Sequence, residues 1–185
     1  MRIKLLLTIA AVLFTASFST LHAQTDGKKR EVGLQLSSFN FNGSGAFNGL
    51  YRKQKSENVY RRVRATFGNI SLLTTGEGIF SFNAGLAIGR EKRRTLDRKL
   101  EFYRGPEFSA SLGFLAGEVL NELATINLGF GYVIGLQHSF SDLWAIHLET
   151  VPGVNVGFII MDEDGVLSLG AGFSSAVTLG VVRKF

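Results

Sequence analysis

Thr125-Ile126-Asn127-Leu128-Gly129-Phe130-Gly131-Tyr132-Val133-Ile134-Gly135-Leu136-Gln137 is the stretch whose reading decides the fold. Ile126, Leu128, Phe130, Tyr132, Ile134 and Leu136 fall on one row, and Thr125, Asn127, Gly129, Gly131, Val133 and Gly135 on the other. Residues i and i+2 share one face of a β-strand. The segment therefore presents one large apolar face and one small or polar face, and a helical period of 3.6 would scatter both.

The same alternation recurs along the chain. Phe80, Phe82, Ala84, Leu86 and Ile88 alternate with Ser81, Asn83, Gly85, Ala87 and Gly89. Phe108, Ala110, Leu112 and Phe114 alternate with Glu107, Ser109, Ser111 and Gly113. At the end, Leu167, Leu169, Ala171, Phe173, Val177, Leu179 and Val181 alternate with small or hydroxylated residues. Strands are expected over 31–41, 46–55, 58–72, 78–92, 97–116, 123–137, 143–160 and 165–184. Between them lie short turn sequences such as Asn42-Gly43-Ser44-Gly45, Lys55-Ser56-Glu57-Asn58 and Asp162-Glu163-Asp164-Gly165. Short turns join antiparallel neighbours. The composition agrees: 22 Gly and 16 Phe with only 2 Pro, in 185 residues, suit many strands better than a helical bundle. The fold class expected is all-β, an eight-stranded antiparallel up-and-down transmembrane β-barrel.

Alternation alone fits two barrels. A soluble, lipocalin-type barrel keeps its apolar row inside, whereas a membrane barrel turns it outward. The second row discriminates. A row facing water should be rich in Lys, Glu, Gln and Thr, but here it is mostly Gly, Ser, Ala and Asn, which suit a crowded lumen. The Phe, Leu, Ile and Val row suits lipid.

The first residues read as an address. Arg2 and Lys4 precede Leu5 to Phe14, an uncharged run too short to span a bilayer as a helix. Leu21-His22-Ala23 then offers a small residue to signal peptidase. The expected organisation is a cleaved signal over 1–23, a short periplasmic segment over 24–30 and a barrel over 31–185. Cleavage lowers the formal net charge from +5 to about +3, so the basic pI is weak evidence for nucleic acid. An exported barrel is not expected to meet nucleic acid at all. The absence of Cys excludes disulfide scaffolds, thiolate metal sites, Cys nucleophiles and a lipidated Cys after the signal.

Phe185 ends the chain, with Val177, Leu179 and Val181 alternating before it. This C-terminus resembles those of bacterial outer-membrane β-barrel proteins. The resemblance implies that Val177, Leu179, Val181 and Phe185 form the signal read by the barrel-assembly machinery, with Arg183 standing where an apolar or aromatic residue is usual. The stretches Tyr51-Arg52-Lys53 to Tyr60-Arg61-Arg62, Gly85 to Arg93 and Gly105-Pro106-Glu107-Phe108 resemble small outer-membrane barrels of the Bacteroidetes type, akin to the OmpX and OmpA barrels. That family is mostly without assigned function. The resemblance implies an outer-membrane location and, as partners, outer-membrane lipids, lipopolysaccharide and an envelope protein not yet named.

Charge is sorted by end. With both termini in the periplasm, Glu77, Glu118, Glu122 and Asp162-Glu163-Asp164 fall at the outer end. The other end collects Arg52, Lys53, Lys55, Arg61, Arg62, Arg90, Lys92, Arg93, Arg94, Arg98 and Lys99. A solvated rim is one reading, and a rim that meets phospholipid headgroups or an anionic partner is the other. Tyr51, Tyr60, Phe102, Phe140, Trp144 and Phe185 are expected near the same interface as an aromatic girdle.

By parity, Arg62, Arg64, Glu101, Tyr103, Glu107, His147 and Glu149 face the lumen. Buried charges need partners, so Arg–Glu pairs are expected there, either as a structural plug or as the lining of a narrow channel. Catalysis has thin support. His147 and Glu149 share a face, and Ser109 or Ser111 would have to complete a relay by hydrogen bonding. No phosphate-loop, dinucleotide-binding or HExxH pattern occurs. Asp162-Glu163-Asp164 lacks the spacing of a calcium loop. No cofactor, metal or catalytic residue is expected. The role expected is structural or interactive in the cell envelope, with a small-solute channel and a lipid-modifying enzyme as the alternatives.

Overall fold

A computed structural model of the chain describes residues 29–37, 46–73, 79–116, 123–161, 168–174 and 177–185. The expected signal segment and the acidic loop residues Glu77, Glu118, Glu122 and Asp162 to Asp164 lie outside these. Among the described residues ten strands form: β1 (Arg30–Ser37), β2 (Ala46–Ser56), β3 (Val59–Leu73), β4 (Ile79–Asp97), β5 (Leu100–Ala116), β6 (Leu123–Ser139), β7 (Trp144–Thr150), β8 (Gly153–Met161), β9 (Ser168–Ser174) and β10 (Val177–Lys184). Every pairing is antiparallel.

Ten strands make eight staves. β7 and β8 both pair with β6, and β10 and β9 pair with β7 and β8 in turn, so each of these couples is one broken stave. The break between β7 and β8 falls at Val151-Pro152. Proline has no N–H to give the ladder, which is why the single strand expected over 143–160 divides there. The Pro152 carbonyl still accepts from Tyr132 N at 2.9 Å, holding the stave in place. β1 pairs with β10 and β5 with β6, so the sheet closes on itself as an eight-stranded antiparallel barrel. At the seam, Phe185 N donates to Arg30 O (2.8 Å) and Arg30 N to Phe185 O (3.1 Å), tying the chain end to the first strand.

The alternation read from the sequence sets the facing. Glu107 is 2% exposed and its neighbour Phe108 is 65% exposed. Along β6, Val133, Gly135 and Gln137 are buried while Leu128, Phe130, Tyr132, Ile134 and Leu136 lie on the outer wall. Outward rows on the other staves carry Leu34, Phe47, Leu86, Ile88, Leu112, Ile146, Leu148, Val154 and Val181. Among the described residues most large buried side chains are polar, and a small apolar cluster, Leu50 with Ala145 and Val182, is packed inside. The barrel is thus inside-out relative to a soluble one.

β4 runs on to Asp97, beyond the strand end expected at 92, and meets β5 through a two-residue turn at Arg98-Lys99. The pairing of β4 with β5 lapses between Gly89↔Glu107 and Lys92↔Arg104, around Pro106. The start of β1 at Arg30, Phe185 and the short turns 57–58 and 98–99 share one end of the barrel, the terminal end. Ser37, Ala46, Leu73, Ile79, Ala116, Leu123, Met161 and Ser168 end or begin the staves at the other.

Candidate functional site

The terminal end of the lumen is filled by charge. Arg62 on β3 grips Glu149 on β7 with both terminal nitrogens: Nη2 donates to Oε1 at 2.8 Å and Nη1 to Oε2 at 3.2 Å. This fork-on-carboxylate geometry is the strongest that an arginine makes. Arg62 Nε lies 2.8 Å from Glu107 Oε2, off the hydrogen-bond direction, so that contact is Coulombic. Arg64 pairs with the other Glu107 oxygen. Tyr103 donates its hydroxyl to Glu149 Oε2 at 2.8 Å.

A second fork sits beside the first. Arg93 on β4 holds Glu31 on β1 through Nη1 (2.7 Å) and Nη2 (2.8 Å), reaches Glu91 through Nε (2.8 Å) and Glu101 through Nη1 (3.1 Å). Arg52 on β2 links the two forks. It donates to Gln137 at 2.7 Å, Glu31 at 3.3 Å and Glu149 at 3.4 Å, and its Nε stands 3.2 Å from Glu91. The arginine faces are covered by rings, with the Arg93 guanidinium 3.7 Å from the Tyr60 ring centre and the Arg52 guanidinium 4.7 Å from that of Tyr103. Among the described residues, the carboxylates of Glu31, Glu91, Glu101, Glu107 and Glu149 thus meet the guanidiniums of Arg52, Arg62, Arg64 and Arg93, contributed by β1, β2, β3, β4, β5 and β7. Removing one member of such a set leaves a buried charge uncompensated, at about 3–5 kcal/mol.

Gln35 extends the cluster away from the termini. Its Nε2 lies 2.8 Å from Glu149 Oε1 and 2.9 Å from His147 Nε2. A carboxylate bound to arginine only accepts, so the amide nitrogen faces it and also donates to the imidazole. His147 Nε2 is therefore an acceptor, and the ring proton sits on Nδ1, which has no hydrogen-bond partner among the described residues. The serine relay considered from the sequence is not assembled, because Nε2 is held by Gln35.

All seven lumen residues named from parity, Arg62, Arg64, Glu101, Tyr103, Glu107, His147 and Glu149, carry side chains in this cluster. Several members were not named there: Glu31, Gln35, Arg52, Glu91, Arg93 and Gln137. Two of these correct the expected rim. Arg52 and Arg93 are not solvated strand ends but buried ligands of Glu31 and Glu91. Tyr60 likewise leaves the expected girdle, because it points inward under Arg93. Phe140, Trp144 and Phe185 are exposed, and Arg183 lies over the rings of Phe185 (4.9 Å) and Trp144 (6.0 Å). That stacking explains how a charged residue is accommodated so near the chain end. Val177, Leu179 and Val181 line the outer face of β10.

Backbone room was needed for this packing. A Cβ on Gly135 would lie 2.7 Å from Tyr103 Cε2, and one on Gly180 would lie 2.6 Å from His147 Nε2. Glycine at these positions leaves the space that the two rings occupy. Further from the termini the inward row changes to Thr125, Asn127, Asn155, Gly157, Ile159, Gly170 and Gly172, which surround an open pocket of about 370 Å³.

The chain is similar in structure to a major outer membrane protein of Thermus thermophilus, with TM-score 0.53 and 11% identity over 85% of this chain and 99% of that one. It is also similar to Ail, the attachment invasion locus protein of Yersinia pestis, with TM-score 0.51 and 11% identity over 85% and 97% of the two chains. The fold is that of the small outer-membrane β-barrels. No protein-family model and no curated protein sequence matches the chain.

Proposed function

We propose that this chain is an integral outer-membrane barrel of the cell envelope, closed at its terminal end by the Arg–Glu cluster, with a structural or interaction role. The observation that carries this reading is the cluster itself. Arg52, Arg62 and Glu149 fill the bore from different walls and leave their charges paired across it. The interior of an eight-stranded barrel is narrow enough for side chains to close it. The outward band of Leu, Ile, Phe and Val supports a lipid environment, and the short turns at the terminal end support a periplasmic position for that end. In this reading residues 1–23 are a cleaved export signal, and Val177, Leu179, Val181 and Phe185 engage the barrel-assembly machinery. The resemblance of Gly85 to Arg93 to Bacteroidetes-type barrels is the ground for proposing such a source. No catalytic role is proposed, since His147 is held by Gln35.

Planar-bilayer recording tests the closed lumen. The wild-type barrel is expected to pass no sustained current, and the double variant Arg62→Ser/Glu149→Ser is expected to conduct. Steady wild-type conductance would overturn the plug in favour of a narrow small-solute channel. Insertion is checked by SDS gel mobility. The unboiled barrel should migrate apart from the boiled chain, and a soluble chain without that shift would turn the outward apolar rows into a problem.

A further inference from the structure

We propose that the outer wall of β3, β4 and β5 carries a binding site for the headgroup phosphates of anionic phospholipid in the periplasmic leaflet, which rests on the membrane reading above. The register places like charges side by side. Arg61 stands directly opposite Arg90, and Lys92 directly opposite Arg104. Arg94 extends the group one step along the outer row of β4. All five side chains are exposed. None forms a salt bridge with a carboxylate among the described residues, in contrast to the inward arginines one residue away on the same strands.

Like charges directly opposite one another destabilise an antiparallel pair. The arrangement is therefore unfavourable for the isolated barrel and becomes favourable once an anion lies across it. The position says what kind of anion. Toward the barrel middle, the same outward rows carry Ile88 on β4 and, beyond Pro106, its register partner Phe108 on β5, at 42% and 65% exposure. A ligand reaching both surfaces needs an anionic head and an apolar tail. Basic side chains at the edge of a lipid-facing band meet the phosphates of the leaflet on that side, and the short-turn end is the periplasmic one. A soluble acidic protein would satisfy the charges but would leave the adjoining apolar rows without a function in the same contact.

Quenching by brominated phosphatidylglycerol, titrated into phosphatidylcholine vesicles holding the full-length barrel, tests the site. Trp144→Phe removes the chain's one tryptophan. In that background Phe102→Trp reports the patch, since position 102 stands opposite Arg94. Leu148→Trp reports the outer face of β7, where the register neighbours are Leu136 and Leu179. The patch reporter is expected to prefer phosphatidylglycerol over phosphatidylcholine by about fivefold, the size of one basic contact with an anionic surface. The preference should be near unity on β7. Arg61→Gln/Arg90→Gln/Arg104→Gln, or about 0.5 M salt, should bring the patch reporter down to the β7 value. Equal preference at both positions overturns the site, as does a preference that survives neutralisation. Failure of brominated phosphatidylcholine to quench the β7 reporter overturns the membrane reading instead. Boiled against unboiled gel mobility shows that each variant is folded. If the triple variant does not fold, Arg90→Gln alone should at least halve the preference, and no change there also overturns the proposal.

Discussion

The two halves of the lumen are built on opposite principles. At the terminal end, large charged and aromatic side chains from six or more strands meet in a solid cluster. Toward the other end the wall is glycine, asparagine and threonine around an open pocket of about 370 Å³. The backbone is the same closed sheet in both. The difference is therefore one of side-chain length and charge, and it divides the described lumen into a crowded base and a roomier vestibule. Glycine serves each half differently. At Gly135 and Gly180 it makes room for Tyr103 and His147, whereas at Gly170 no atom lies within 4 Å of where a Cβ would be.

The largest effect expected from this contrast comes from the base. Glu149→Leu removes the acceptor shared by Arg52, Arg62, Tyr103 and Gln35, and should cost about 3–5 kcal/mol of folding stability. Asn127→Ala in the vestibule should stay within about 0.5 kcal/mol. Urea midpoints of the detergent-folded barrels measure both. Equal losses would mean that the base does not dominate stability.

Glycine replacement sharpens the same contrast at smaller scale. Gly135→Val drives a branched side chain into the Tyr103 ring and should cost about 1–3 kcal/mol. Gly170→Ala enters open space and should leave the midpoint unchanged. A neutral Gly135→Val would show that Tyr103 can leave the wall without loss. Smallest of the set is Tyr60→Leu. It keeps an apolar side chain but removes the ring beneath Arg93, and should cost about 1 kcal/mol. If the loss in the double variant Tyr60→Leu/Arg93→Met equals the sum of the losses in its single variants, the ring and the guanidinium are not coupled.

Legibility in the sequence followed the quality of the alternation. The facing of β5 and β6 is plain in the sequence because Gly, Ser and Glu fall regularly between Phe and Leu. In β2 the composition rule inverts: Leu50 points inward and Gly49 lies on the other face. Composition therefore hides the phase of that strand, and Arg52 looks like a rim residue in the sequence. In β4 the row Gly85, Ala87, Gly89 continues through Glu91 to Arg93, so parity carried the signal. The sequence pattern ends the strand at Lys92, so the inward direction of Arg93 lies beyond it. Tyr60 is an aromatic near a strand end, a pattern that suits a membrane girdle and a lumen stack equally well.

The sequence by itself determined the number of staves, strand limits to within a few residues for most of them, and the outward apolar wall; that two of the eight staves are broken into two strands it did not show. These depend on a period of two along a single segment, which is local information. The pairing of particular charges was decided by the tertiary structure. Glu31 meets Arg93 and Arg62 meets Glu149 only because closure brings β1, β3, β4 and β7 around one narrow bore. Which guanidinium reaches which carboxylate depends on register and barrel closure, and these are set by many cross-strand pairs together, far apart in the chain.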